Sequence, residues 1–565
     1  MKFSQEKILW VLVALCAFVV NGYALDREAF SITTYNLNLQ IDPAQHRLGV
    51  RGKITLRNDT STPQKIAVLQ ISSSLDWRSI KAADKMLQFV SQPLMSDIDH
   101  TGSLSEAIVT LPREVTPHAT VDLDIAYEGV IILDATRLTR VGTPAEMAAN
   151  TDWDEIDENF TAVRGAGYVA WYPLATESAD LSEGNDLSEA LGRWKAREGN
   201  SQMSLLIEST KDCKILFSGS RANFLVTTDK PVKIGPFSMA QLNGSVPTFV
   251  LADYKTIDVK GGSTVNFLAG TDETAAAYAD LFAHLDPLSA RNGPVNLQVA
   301  QLPQLDAVPF VSNNLVLMPL RQVTDESRLT LLYAVARQRI TSPRAWINEG
   351  LAHFAQAVDI EQQHSRQAAL DYMNAHAPAF IGAEKKLASP DSATNNSLIN
   401  TTDEVYLQSK AMWVWSMLRD MIGDASLNIA LLSYHAPEDK EPSYMPRLIS
   451  AHTQRDLEWF FDDWVYRDRG LPDFKVESAY AHKTMTNSYM LTVTVDNLGT
   501  AGAEVPVIIQ MKGGEVTRRV EVRAKGKATI RIETPAAPQE IRINDGSVPE
   551  SDLTNNSFRV EQPQS

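Results

Sequence analysis

In Tyr35-Asn36-Leu37-Asn38-Leu39-Gln40-Ile41 every odd position is apolar and every even one polar. Period-two alternation commits a segment to a strand with one buried face, because a helix would scatter those side chains around its axis. Leu48, Val50, Ile54 and Leu56 repeat the pattern against Arg47, Arg51, Lys53 and Arg57. Similar runs, broken by Gly, Pro and Asn, continue to about Leu251 and predict an N-terminal β-sandwich over residues 25–255.

The rhythm changes near Thr271. Thr274 to Leu285 is alanine-rich and helical, and apolar strands follow around Val295–Leu302 and Phe310–Leu317. Thr324 is placed to cap a helix with Asp325 and Glu326 in its first turn, where carboxylates suit the helix dipole. Ser342-Pro343 opens another helix, and Lys410 to Ile422 is a third that ends at Gly423. Leu457, Phe460, Phe461, Trp464 and Val465 make one apolar stripe in a helix that Gly470 and Pro472 stop. Strands return at Leu491–Val495, Val520/Val522, Ile530/Ile532 and Ile541/Ile543, a spacing that suits a small immunoglobulin-like sandwich. The expected organisation is α+β and multidomain: a central α/β plus helical unit at 256–472, the small β domain at 473–548, and a loose polar tail at 549–565.

A chain of 565 residues is too long for one core. Its formal net charge of −17, with no Lys/Arg-rich run, argues against nucleic acid or anionic membrane as a partner. Lys2 and Lys7, the apolar run Ile8–Val20 and the small residues of Gly22-Tyr23-Ala24 read as a secretory signal over residues 1–24. A retained anchor is the alternative; no later stretch is long and apolar enough to span a membrane. Of 2 cysteines, Cys16 lies in the signal, which leaves Cys213 without an internal partner in the mature chain and best read as a small buried hydrophobe.

Four segments carry a resemblance. Trp346-Ile347-Asn348-Glu349-Gly350-Leu351-Ala352-His353-Phe354 is similar to the W-L-N-E-G-x-A-x-[FY] segment of the aminopeptidase N family of zinc metallopeptidases (gluzincins). Lys410-Ala411-Met412 through Met417-Leu418 and Gly423-Asp424 resembles that family's K-G-A helix. Leu457-Glu458-Trp459-Phe460-Phe461-Asp462-Asp463-Trp464, with Arg469-Gly470-Leu471-Pro472, resembles its closing helix, and Tyr172-Pro173-Leu174 its W-Y-P segment. The resemblance runs collinearly over the mature chain. It implies a β-sandwich, a thermolysin-like α/β and helical domain, and an immunoglobulin-like domain.

The same resemblance implies a zinc site that this sequence does not supply. H-E-x-x-H places two imidazoles on one helix face to grip the metal, with a glutamate beside them to take a proton from water. Zinc lowers the pKa of that water from about 15.7 to about 7. By the resemblance Glu349 is the third ligand, Tyr333 and Arg337 stand where the histidines belong, and Ala334 stands where the base belongs. H-E-x-x-H thus becomes Tyr333-Ala334-Val335-Ala336-Arg337. None of the 10 histidines pair at i, i+4, so no other register restores the motif. The strand Pro309–Leu317, where the family places an amine-binding glutamate, has no acidic residue, and Tyr406 is one place off the transition-state tyrosine.

These residues imply a non-catalytic, exported member without a cofactor, binding a peptide or protein partner in a retained cleft. An active zinc aminopeptidase with unconventional ligands is the alternative, with Glu349 and His353 at i, i+4 as a relocated pair; a structural surface module is a third reading. Glu349 stripped of metal needs a counter-charge. Arg337 is expected to provide it, with Tyr333 filling the remaining space, and breaking such a pair in a fully buried site costs ~3–5 kcal/mol. The acidic stretch Asp152–Glu158 is expected as an exposed loop, with calcium binding the sharper alternative, and the tryptophans Trp413, Trp415, Trp459 and Trp464 as core.

Overall fold

A computed structural model describes residues 25–560 except 185, 222–231, 243, 260, 286–294, 340–341, 388–396, 402, 468 and 487. The expected signal, residues 1–24, lies outside the described residues. Among the described residues no helix is long and apolar enough to cross a membrane.

The alternating segment forms the strand Phe30–Asp42, in which Tyr35, Leu37, Leu39 and Ile41 are buried and the intervening residues are exposed. It pairs antiparallel with Arg47–Asn58 and parallel with Gln202–Ser209, inside an eight-stranded sheet. A three-stranded sheet formed by Gln64–Ser72, Ser103–Val115 and Phe89–Met95 shares its core, with Leu69, Ile71, Leu104 and Val109 in the cluster that holds Leu37 and Leu39. The helix Asp186–Glu198 is pinned to the first strand by Glu198, whose buried carboxylate accepts from Tyr35 Oη at 2.6 Å and from Ile32 N at 3.2 Å. Burial pushes this carboxyl up to about 7.

A five-stranded mixed sheet follows, in which Ser263–Phe267, Gln298–Gln301 and Leu315–Met318 run parallel. The helices Asp272–His284 and Asp325–Arg339 pack on it through Tyr278, Phe282, Leu331 and Val335. Thr324 caps the second: its Oγ1 accepts from Ser327 N at 3.3 Å, and Ser327 Oγ reaches back to accept from Thr324 N at 2.9 Å. The segment read as one strand, Pro309–Leu317, is instead a hairpin of Phe310–Ser312 and Leu315–Met318. Asn313, with φ +47°, turns the chain between them.

The helix Ala345–Gln363 lies against the long helix Glu404–Leu432, which breaks at Gly423 with φ +79°. Gly350 is what permits the contact. A Cβ there would sit 2.7 Å from Ala411 Cβ and 2.8 Å from Trp415 Cδ1. Trp346 and Trp415 stack beside it at 5.3 Å. The stripe Leu457, Phe460, Phe461, Trp464 and Val465 is buried, but only Glu458–Phe461 is α-helical and Asp462–Tyr466 is a π-turn. Trp413, Trp415 and Trp464 are fully buried, while Trp459 is half-buried under the Arg523 guanidinium at 4.4 Å.

Two sheets close the chain, a three-stranded one built on Tyr489–Asn497 and a four-stranded one built on Ala503–Met511. Their inner residues, Leu491, Val493, Val507 and Ile509, belong to the same apolar cluster as Trp413, Phe460 and Trp464. The core is therefore continuous across Pro472. Part of the stretch expected as a loose tail is also packed, within residues 549–560, while residues 561–565 lie outside the described residues. Ser557–Arg559 pairs with Pro538–Ile543, and the buried Glu550 accepts from Phe474 N at 2.9 Å and from Asn556 Nδ2 at 2.8 Å. Glu550 and Asn556 satisfy buried groups, Asn556 also donating to Ile543 O at 3.1 Å, while Asp552 and Thr554 face water.

The acidic stretch is likewise not an exposed loop. Asp152 and Asp154 are fully buried. Asp152 takes two bonds from Arg137, at 2.8 and 2.7 Å, and Asp154 accepts from Arg164 Nη2 at 2.6 Å, so cations 15 and 10 residues away neutralise both carboxylates. Cys213 is partly buried, and burial raises its thiol to about 11, which keeps it protonated and a poor nucleophile.

Candidate functional site

The Asp325–Arg339 and Ala345–Gln363 helices bring Tyr333, Arg337 and Glu349 together. Arg337 Nη1 forms an ion pair with Glu349 Oε1. Tyr333 Oη donates to the other carboxylate oxygen, Oε2, at 2.7 Å. The pair is mostly enclosed, with side chains 17% and 20% exposed. The two helices are also clamped away from this point by Arg328, which donates to both oxygens of Asp359 at 2.9 and 2.6 Å. Tyr333 and Arg337 share a face because they are one turn apart. Ala334 points elsewhere, fully buried in the core under the five-stranded sheet.

The donor set does not fit zinc. A guanidinium is a permanent cation and offers no lone pair, and Tyr333 spends its proton on Glu349. Arg337 holds one of the two Glu349 oxygens and Tyr333 the other. Among the described residues no group of three His, Cys, Asp or Glu comes together in metal-binding fashion.

His353, one turn beyond Glu349, belongs to a different network. Gln356 Nε2 donates to Leu329 O at 3.0 Å, which orients the amide and leaves its oxygen to accept from Tyr372 Oη at 2.9 Å and from His353 Nδ1 at 2.8 Å. That assigns the proton to Nδ1 and leaves Nε2 a bare lone pair, buried and without a hydrogen-bond partner among the described residues. Burial pushes the His353 imidazole down to about 4, so it is neutral at pH 7. Its ring packs against Tyr333 at 5.1 Å and His376 at 6.4 Å.

Tyr406 is not placed for catalysis. It is 1% exposed, and its hydroxyl accepts from Lys410 Nζ, one turn along the same helix. Gln408, two residues on, faces the cleft instead, since two residues turn the helix by more than half a circle.

Arg337 and Glu349 line a cleft of 850 Å³. Leu187, Leu191 and Lys195 line it from the Asp186–Glu198 helix, and Phe310 and Asn313 from the hairpin. A side pocket of 280 Å³ shares Lys195, Arg337, Glu349 and Gln408 and adds the apolar Leu398, Ile399 and Leu407. Lys195, Gln408 and this pocket were not legible in the sequence. No motif marks them, and only the fold brings residues 195, 337 and 408 together.

Solved structures similar to this chain are M1 zinc metallopeptidases. One, from Deinococcus radiodurans, is a mutant bound to a Tyr-Ser-Ala substrate: it is 17% identical, with 79% of this chain and 96% of that chain covered at a TM-score of 0.49. Another structure of the M1 zinc metallopeptidase from the same organism is 18% identical, with coverage of 79% and 95% and a TM-score of 0.46. No protein-family model matches the chain, and neither does any curated protein.

Proposed function

We propose that this chain is a non-catalytic relative of the aminopeptidase N peptidases, exported through its N-terminal signal, whose cleft binds a peptide or protein partner. The four collinear motifs support the relationship. The observation that carries the loss of chemistry is the Arg337 guanidinium on Glu349, a protein cation in place of a metal cation. Neither metal activation of water nor proton abstraction by a glutamate at position 334 has a residue to perform it. Hydrolysis of aminoacyl-anilides by the pure protein is expected at background with or without added zinc, and chelator-sensitive turnover overturns the reading. N-terminal sequencing of the exported protein is expected to begin at Leu25; an intact Met1 in the membrane fraction means an anchor.

One observation favours the active-enzyme alternative. The bare Nε2 of His353, next to Tyr333 and one turn from Glu349, is a ligand-ready nitrogen. Zinc-dependent hydrolysis abolished by His353→Ala supports that alternative.

A further inference from the structure

We propose that the cleft recognises the C-terminal carboxylate of a peptide ending in an apolar residue, a ligand polarity opposite to that of an enzyme that holds a free amine. The inference rests on the peptide-binding reading above. A peptide's ammonium group needs an anionic anchor, and Glu349 is the single carboxylate among the described residues lining the cleft. Both of its oxygens are engaged, one by Arg337 and one by Tyr333. An incoming ammonium would meet the Arg337 guanidinium with no unengaged carboxylate among the described lining residues.

A carboxylate meets the reverse situation. Arg337 binds Glu349 through Nη1, while its Nε and Nη2 make no hydrogen bond to protein among the described residues, on a side chain that lines both the cleft and the side pocket. That edge of the guanidinium is the planar two-donor fork that holds a carboxylate bidentately. Gln408 adds to the lining a neutral amide that makes no hydrogen bond to protein among the described residues. Arg137 also lines the cleft, but Asp152 neutralises it. The apolar wall of Leu398, Ile399 and Leu407 lies in the pocket that Arg337 borders. A C-terminal residue whose carboxylate sits on Arg337 can therefore bury its side chain there, while the 850 Å³ cleft takes the preceding residues.

Fluorescence anisotropy on the full mature chain tests this with N-terminally fluorescein-labelled Gly-Ala-Ala-Leu, as the free acid and as the C-terminal amide. The label blocks the amine in both. The free acid is expected to bind about tenfold or more tighter than the amide, because a charge-assisted fork is lost on amidation. N-acetyl-leucine is expected to displace the free acid and acetate at the same concentration is not. Arg337→Gln is expected to erase the acid-over-amide preference. Should Arg337→Gln fail to fold, the comparison of the two peptides on the unmodified protein still decides. Equal binding of acid and amide, or equal displacement by acetate, overturns the inference and leaves a peptide-binding cleft in place. Binding of neither peptide overturns the inference, while the anilide assay separately decides the loss of catalysis.

Discussion

Arg337 is a large cation in a place where the family resemblance puts a neutral imidazole, and its consequences are local. Its partner Glu349 is held on both oxygens, so removing the guanidinium leaves a partly enclosed carboxylate with one bond, from Tyr333. At 20% exposure that carboxylate keeps some water, so Arg337→Ala is expected to cost about 1–3 kcal/mol, below the fully buried figure. Urea denaturation measures it, and the double variant with Glu349→Gln is expected to recover part of the loss because no charge is then stranded. The opposite operation is also informative. Tyr333→His with Arg337→His places two imidazoles one turn apart facing Glu349, a three-ligand set that is expected to bind zinc at near one equivalent by calorimetry. Turnover is expected to stay at background. Ala334, where the base would be restored, points into the core, and the hairpin offers no carboxylate for a substrate amine.

At the scale of elements, two helix contacts set the geometry. Gly350 lets the Ala345–Gln363 helix approach Ala411 and Trp415, and Gly350→Ala forces a methyl to within 3 Å of both. Overpacking of that kind is expected to cost about 1–3 kcal/mol, read as a lowered urea midpoint, and to shift Glu349 relative to Arg337. The Asp186–Glu198 helix carries Lys195 into the cleft and is tied down by Glu198. The Glu198 carboxyl is raised from 4.5 to about 7 in the folded chain, so the folded state holds this proton more tightly than the unfolded one. Its contribution to stability is fully present below about 4.5 and is lost as pH rises through about 7. Glu198→Gln is expected to flatten the stability profile across that window and to be more stable than the parent at pH 8, measured by thermal unfolding at several pH values. An unchanged pH slope contradicts the assignment.

Over the whole molecule, what the sequence made legible was periodic and local. The strand at Tyr35–Ile41, the cap at Thr324 and the stripe from Leu457 to Val465 are short-range patterns whose physics acts on neighbours. The Arg337–Glu349 pair was also within reach, because the resemblance set the two on neighbouring helices and an enclosed carboxylate needs a counter-charge. Several failures involve partners beyond the reach of a local pattern. Asp152 and Asp154 look solvated until Arg137 and Arg164 arrive from other segments. The residues of the last segment look like a tail until Phe474 N reaches Glu550. Tyr406 was one place off in a helix, and one place turns a side chain by about 100°. The Phe310–Met318 hairpin hid because Asn313 and Asn314 sit between apolar runs that read as continuous.

The central claim is that a protein cation has replaced the metal at Glu349. It is tested most directly by zinc content of the purified mature protein, measured by mass spectrometry after saturation with zinc and gel filtration. The account predicts well under one equivalent per chain, unchanged by Glu349→Gln. One equivalent of zinc retained by the unmodified protein and lost in Glu349→Gln would contradict it.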